Sequence, residues 1–244
     1  MNVGPTSQET PFPVHLYKKG SRKCVTDSIG QTTPKGKSET ALVLDAVPGF
    51  IPLWDVNVTL YYRFQERSLQ KYTSDATATK QVIRDRLTEA LQRWGSAVPV
   101  RFMENNAIWD FEIAMRADED GILASSFFPD GGQHELVIYP AMFDQPDDEQ
   151  IDTLIHELGH VFGLRHFFAP AREKAFPYEL WGQQSEFSIM NYEDLTTPTQ
   201  EESILTRRDK YDLTKLYDLV WSRKLRQING TPIVLFKPFH SNMP

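Results

Sequence analysis

Apolar and polar positions alternate from Val56 onward. Val56, Val58, Leu60, Tyr62 and Phe64 fall on one side, and Asn57, Thr59 and Arg63 on the other. A period of two predicts a half-buried strand. The period then lengthens: Ile83, Leu87, Ala90, Leu91 and Trp94 recur at helical spacing, so a helix is expected over Thr77–Trp94, closed by Gly95. Val98–Phe102 and Phe111–Arg116 read as the next two strands, and Glu135–Tyr139 as another after the Gly131-Gly132 turn. Ile151, Leu154, Ile155, Leu158 and Phe162 make a second helical stripe. Asp147, Asp148 and Glu149 open that helix and complement its dipole. A last helix is expected over Arg207–Trp221 with Leu213, Leu216, Tyr217 and Val220 inward, then a short strand or docked tail at Thr231–Phe236.

The flanks carry less pattern. Residues 1–40 are rich in Pro, Gly, Ser, Thr and Lys and read as a loosely docked extension. Ala41 to Trp54 is apolar and leads into the domain. Residues 167–187, with Pro170, Pro177 and Trp181, are irregular and would form one wall of a cleft. The chain therefore divides into an N-terminal extension (1–54), a folded domain (55–221) and a C-terminal tail (222–244). No internal repeat is present.

At 244 residues the chain can bury one full core. Its 40% hydrophobic and 24% charged residues are ordinary globular composition. A net charge of −7 argues against nucleic acid as the main partner. No apolar run is long enough to span a bilayer. Met1 to Pro13 lacks the basic and apolar regions of a secretory signal. Cys24 is the one cysteine, so no intramolecular disulfide is expected.

The chemistry concentrates in His156-Glu157-Leu158-Gly159-His160-Val161-Phe162-Gly163-Leu164-Arg165-His166. On a helix, His156 and His160 face the same way and can grip one divalent ion. Gly163 permits a left-handed exit, which lets His166 return as a third nitrogen ligand. Three nitrogens leave a zinc ion one open position for water. Glu157, beside the first ligand, could take that water's proton.

This pattern, H-E-x-x-H-x-x-G-x-x-H, together with Ser188-Ile189-Met190-Asn191-Tyr192 downstream, resembles the metzincin metallopeptidases. The resemblance covers roughly residues 55–221. It implies an α+β, zincin-like catalytic domain: a mixed twisted sheet, a backing helix, a zinc-binding active-site helix and a C-terminal helix. It makes Met190 the apolar floor beneath the metal and Tyr192 an extra ligand or oxyanion donor. Ile122 to Pro129 is similar to the matrixin edge strand, which runs antiparallel to bound substrate, so Leu123 and Ala124 are candidates for pairing with a peptide. Arg22-Lys23-Cys24 is similar to part of the matrixin pro-segment, whose thiolate caps the zinc; the prolines and glycine of that segment are absent here.

The expected activity is zinc-dependent endopeptidase, with Glu157 as general base, a protein or peptide as substrate and the chain acting as a monomer. The alternative is a catalytically silent zinc-binding protein serving as an interaction module. Retention of Glu157 weighs against it. Acidic turns at Asp118–Asp120 and Asp144–Asp148 are candidate Ca2+ sites. His134 stands alone, without the further histidines of a matrixin structural zinc site. The branch stays open: the edge strand looks like a matrixin, and Tyr192 like an astacin or serralysin. Metzincins are commonly secreted, which the missing signal leaves unresolved for this chain.

Overall fold

Two short strands come first, β1 (Leu42–Asp45) and β2 (Ile51–Trp54). The computed structural model describes residues 42–46, 49–118, 122–166, 178–182, 189–190 and 205–242. After β2 the chain turns at Val56-Asn57, with Asn57 at φ 60°, a left-handed conformation that asparagine tolerates. β3 (Thr59–Phe64) then carries the expected alternation, with Leu60, Tyr62 and Phe64 buried. Val56 departs from it. It precedes the turn and is 49% exposed.

Helix α1 (Glu66–Tyr72) was not predicted, because seven residues burying only Ser68 and Leu69 make no readable stripe. α2 (Ala76–Trp94) matches expectation, and the Asp75 side chain accepts from the N–H groups of Thr77 and Ala78 at its start. β4 (Arg101–Glu104) begins three residues later than predicted. Residues Gly95–Ala97 form a single 3-10 turn, and Pro99 has no N–H to give a ladder. β5 (Phe111–Met115), β6 (Ala124–Ser125) and β7 (His134–Ile138) follow. Only two residues of the expected Ile122–Pro129 strand are paired. α3 (Asp147–Val161), β8 (Tyr178–Trp181), α4 (Arg207–Trp221), β9 (Gln227–Ile228) and β10 (Thr231–Phe236) complete the order.

The main sheet has the order β4-β3-β5-β7-β6. β3 pairs parallel with both β4 and β5, and β5 parallel with β7, while β6 is antiparallel to β7. The sheet is therefore mixed. Its inner face, with Leu60, Phe111, Ile113, Leu136 and Ile138, joins one core with Ile83, Leu87 and Trp94 of α2 and Leu154, Ile155 and Leu158 of α3. The two helices are also bridged by Arg86 to Asp147 and by Arg93 to Asp148 and Asp152. Trp94 donates to the Ile155 carbonyl (3.0 Å).

The described residues on both flanks of the sheet and helices pack into this core rather than beside it. β1 pairs antiparallel with β8, and β2 pairs parallel with β10. Leu44, Ile51, Leu53 and Trp54 are all buried in the same core as the sheet and helices, as is Ile228. The boundaries expected at 54 and 221 thus coincide with no break in packing. Local periodicity carries no trace of partners so distant in sequence. No described helix is long and apolar enough to cross a membrane.

Candidate metal centre

α3 supplies the first two histidines from an interior turn, where every residue from Thr153 to Val161 is buried. A helix end leaves carbonyls without intrahelical partners. Here they are met by residues far away in sequence. Trp54 Nε1 donates to the Val161 carbonyl (2.7 Å), the Tyr217 hydroxyl to that of Phe162 (3.1 Å), and the Asp45 amide to that of Gly163 (3.1 Å). Gly163 takes φ +92°, and a Cβ there would crowd Leu53 and the Pro52 carbonyl. That turn brings Leu164 into a bridge with Leu44 and returns His166 to the helix.

His156, His160 and His166 converge. Ligand nitrogens of all three lie within 4.8 Å of one another, and none of the residues is more than 3% exposed. The ring centroids stand 4.9, 5.2 and 4.9 Å apart. Two rings are oriented by main-chain carbonyls: His156 Nδ1 lies 2.8 Å from the Ile189 oxygen, and His160 Nδ1 2.7 Å from the Leu164 oxygen. A carbonyl only accepts, so both Nδ1 atoms carry protons, and each ring in its neutral form presents an Nε2 lone pair.

Those two Nε2 atoms are 3.2 Å apart. Facing lone pairs repel unless a proton or a cation lies between them. Two nitrogens on a tetrahedral ion at about 2.0–2.1 Å stand about 3.3 Å apart. The donor set therefore fits a small divalent ion, with the three imidazoles as its protein ligands. Among the described residues this is the one group of three or more histidine, cysteine or acidic side chains close enough to hold a metal.

Met190 is buried, and its side chain lies against Gly159, the residue before His160. Glu157 is fully buried, next to His156 in the chain. The Ser126 hydroxyl donates to its main-chain carbonyl (2.8 Å), which ties α3 to the segment after β6. Phe128 sets its ring edge-on to His160, with centroids 5.5 Å apart.

The candidate substrate residues differ from each other. The Leu123 carbonyl accepts from the Tyr139 amide (3.0 Å), so it is engaged inside the sheet. Ala124 stands opposite Ile138 in the next register position, where main-chain groups point away from β7. β6 is the outermost strand of the sheet, yet Leu123, Ala124 and Ser125 are all buried. Tyr192 and Cys24 lie outside the described residues, as does part of the acidic turn at 118–120.

Three of the acids weighed for Ca2+ have protein partners. Asp118 accepts from the Ala141 amide, and Asp147 and Asp148 pair with Arg86 and Arg93. His134 stacks on Phe127 with its Nε2 2.8 Å from Asp130, and His134 belongs to no described metal-ligating group. Gly159 and Phe128 escaped sequence reasoning. A glycine inside a helix stripe is a signal in itself, since it costs helix stability and so points to a close neighbour.

No family model matches the chain, and no curated protein matches it. Among solved structures the chain is similar to myroilysin, at 15% identity over 68% of this chain and 95% of that one, with a TM-score of 0.47.

Proposed function

We propose that this chain is a zinc-dependent endopeptidase of metzincin type, with residues 55–221 as its catalytic part. The observation that carries the reading is the convergence of three buried imidazoles, with Glu157 buried beside the first of them in the helix. Neutral nitrogen donors in a closed triangle suit zinc, and a three-ligand set is the pattern of catalytic rather than structural sites. When bound, zinc supplies Lewis acidity, which polarises a carbonyl and makes water a stronger acid.

The chain's own residues do the rest. The Ile189 and Leu164 carbonyls fix two imidazole planes, so their Nε2 atoms are preset rather than ordered on binding. Glu157 takes a proton from water and hands it to the leaving amine. Met190 forms the apolar floor. Tyr192 is proposed, on the resemblance alone, as donor to the developing oxyanion. A peptide pairs with the outward main-chain groups of Ala124, which requires that strand edge to be uncovered.

A second reading is favoured by one observation. The three histidines and Glu157 are at most 3% exposed, and Ala124 is fully buried. A protein that holds zinc without turnover fits that closure. Metal analysis and a peptide-library digest on one preparation separate the two. One zinc per chain with chelator-sensitive cleavage supports the peptidase. One zinc with no cleavage supports the silent protein.

A further inference from the structure

A cleft of about 960 Å³ opens beside the metal centre. Phe50, Trp109, Phe127, Phe128, Val137 and Phe236 supply most of its apolar wall. It adjoins the site already described through two of its lining residues. Phe128, in its wall, packs edge-on against His160, and Ser126, also in its wall, bonds the Glu157 carbonyl.

Four carboxylates line it as well, which at first favours a basic ligand: Asp45, Glu112, Asp130 and Glu135. Each is already engaged. Glu112 pairs with Arg63 (2.7 Å), Glu135 with Arg116 (2.5 Å), and Asp130 with His134 (2.8 Å). Asp45 is buried and held within the fold. Drawing a further cation in would compete with these pairs. The aromatic surface, in contrast, has everything to gain from leaving water.

We infer that this cleft receives bulky apolar side chains of a peptide held at the metal centre. The identity of the ligand rests on the peptidase reading. Cavities of roughly 300–1,000 Å³ take a drug-sized ligand, so the cleft suits a short apolar run rather than a single side chain. In the antiparallel pairing that the peptidase reading implies, a peptide on β6 has its N-terminal half along residues 126–129, on the side of the cleft. The preference therefore falls on the N-terminal side of the cleaved bond.

The test compares peptides bearing Ala, Phe, norleucine or Arg at successive positions on that side. Burial of one such side chain predicts a gain in kcat/KM of roughly tenfold or more for Phe over Ala, with Arg giving no gain over norleucine. Val137→Arg, placed in the cleft wall, is expected to bring the Phe-to-Ala ratio close to one. A preference for Arg, or a Phe-to-Ala ratio unchanged in a Val137→Arg protein with native circular dichroism, overturns the inference and leaves the peptidase reading intact. The second measurement needs no hydrolysis: quenching of Trp109 fluorescence by the tripeptide amide Ac-Leu-Phe-Phe-NH2, with Trp109→Phe as the control. If no peptide is cleaved, the peptidase reading fails, and this titration decides the cleft. Saturable quenching lost in Trp109→Phe and weakened in Val137→Arg upholds it, and no saturable quenching overturns it.

Discussion

The Met190 thioether occupies the space that a side chain on Gly159 would need. A Cβ built at Gly159 would collide with the Met190 sulfur and stand 3.2 Å from its methyl carbon. Met190 and Gly159 are therefore one fitted pair.

Gly159→Ala tests that pair. Helix propensity alone would favour alanine by roughly 0.5–1 kcal/mol. Overpacking in a closed core costs about 1–3 kcal/mol, so the net effect is destabilising. A lower melting temperature and weaker metal retention after dialysis are expected. The double change Gly159→Ala with Met190→Ala should recover part of the stability. A single variant at least as stable as the parent, with full metal content, would show that the two residues do not meet.

Removing the proposed base should separate binding from chemistry. Glu157→Gln is expected to keep one metal ion per chain and to lose roughly 10²–10⁴-fold in peptide hydrolysis. Plasma emission on the same samples used for kinetics checks both halves. Loss of metal together with activity would move Glu157 from chemistry to site assembly.

Metal removal should register in stability, because an ion that binds only the folded chain stabilises it by mass action. Chelation is expected to lower the melting temperature of the parent protein. His166→Ala should already melt lower and respond less to chelator. An equal response in the two proteins would exclude His166 from the ligand set.

Tyr217 supports the turn after α3 from below. Its hydroxyl donates to the Phe162 carbonyl and accepts from the Trp54 amide at 3.4 Å. Tyr217→Phe strands both groups, at about 1–3 kcal/mol. Complete burial also pushes its phenol well above the ordinary tyrosine range. The unfolded chain then ionises first, so this residue's contribution is intact below about pH 10 and is lost as pH rises further. Urea melts at pH 8 and 11 should show the parent losing more stability than Tyr217→Phe over that interval.

Glu104 behaves in the opposite sense. The Arg84 guanidinium, bonded to it at 2.7 and 2.8 Å, holds its carboxyl below the usual range. Its stabilisation is present above the unfolded pKa and fades as pH falls through the folded one. The pair is partly solvated, so Glu104→Gln should cost no more than about 1 kcal/mol near pH 7. At pH 3 the difference between the two proteins should shrink. A constant difference would mean that packing, not charge, is being measured.

Elements with an internal rhythm were legible in the chain. α2 and α4 have long apolar stripes, and their ends fall where Asp75, Gly95 and the Thr206–Asp209 capping box place them. The histidine spacing was readable for the same reason, since one helical turn converts sequence distance into facing. What escaped depends on partners far along the chain. β1 finds β8 and β2 finds β10 across most of the molecule, and a four-residue apolar run does not announce its partner. Val56 fitted the alternation and still ended in solvent, because the Asn57 turn decides where the strand begins. The difference between Leu123 and Ala124 lies in main-chain direction, which side-chain patterning does not encode.

The parallel pairing of Ile51–Trp54 with Ile233–Phe236 has a consequence for biogenesis. Trp54 tethers the last turn before His166, and its own strand waits for a partner synthesised much later in the chain. Contacts so remote are made late, after much of the chain has collapsed. Ion capture should consequently follow synthesis of β10, and ribosome-bound intermediates lacking that strand should emerge metal-poor.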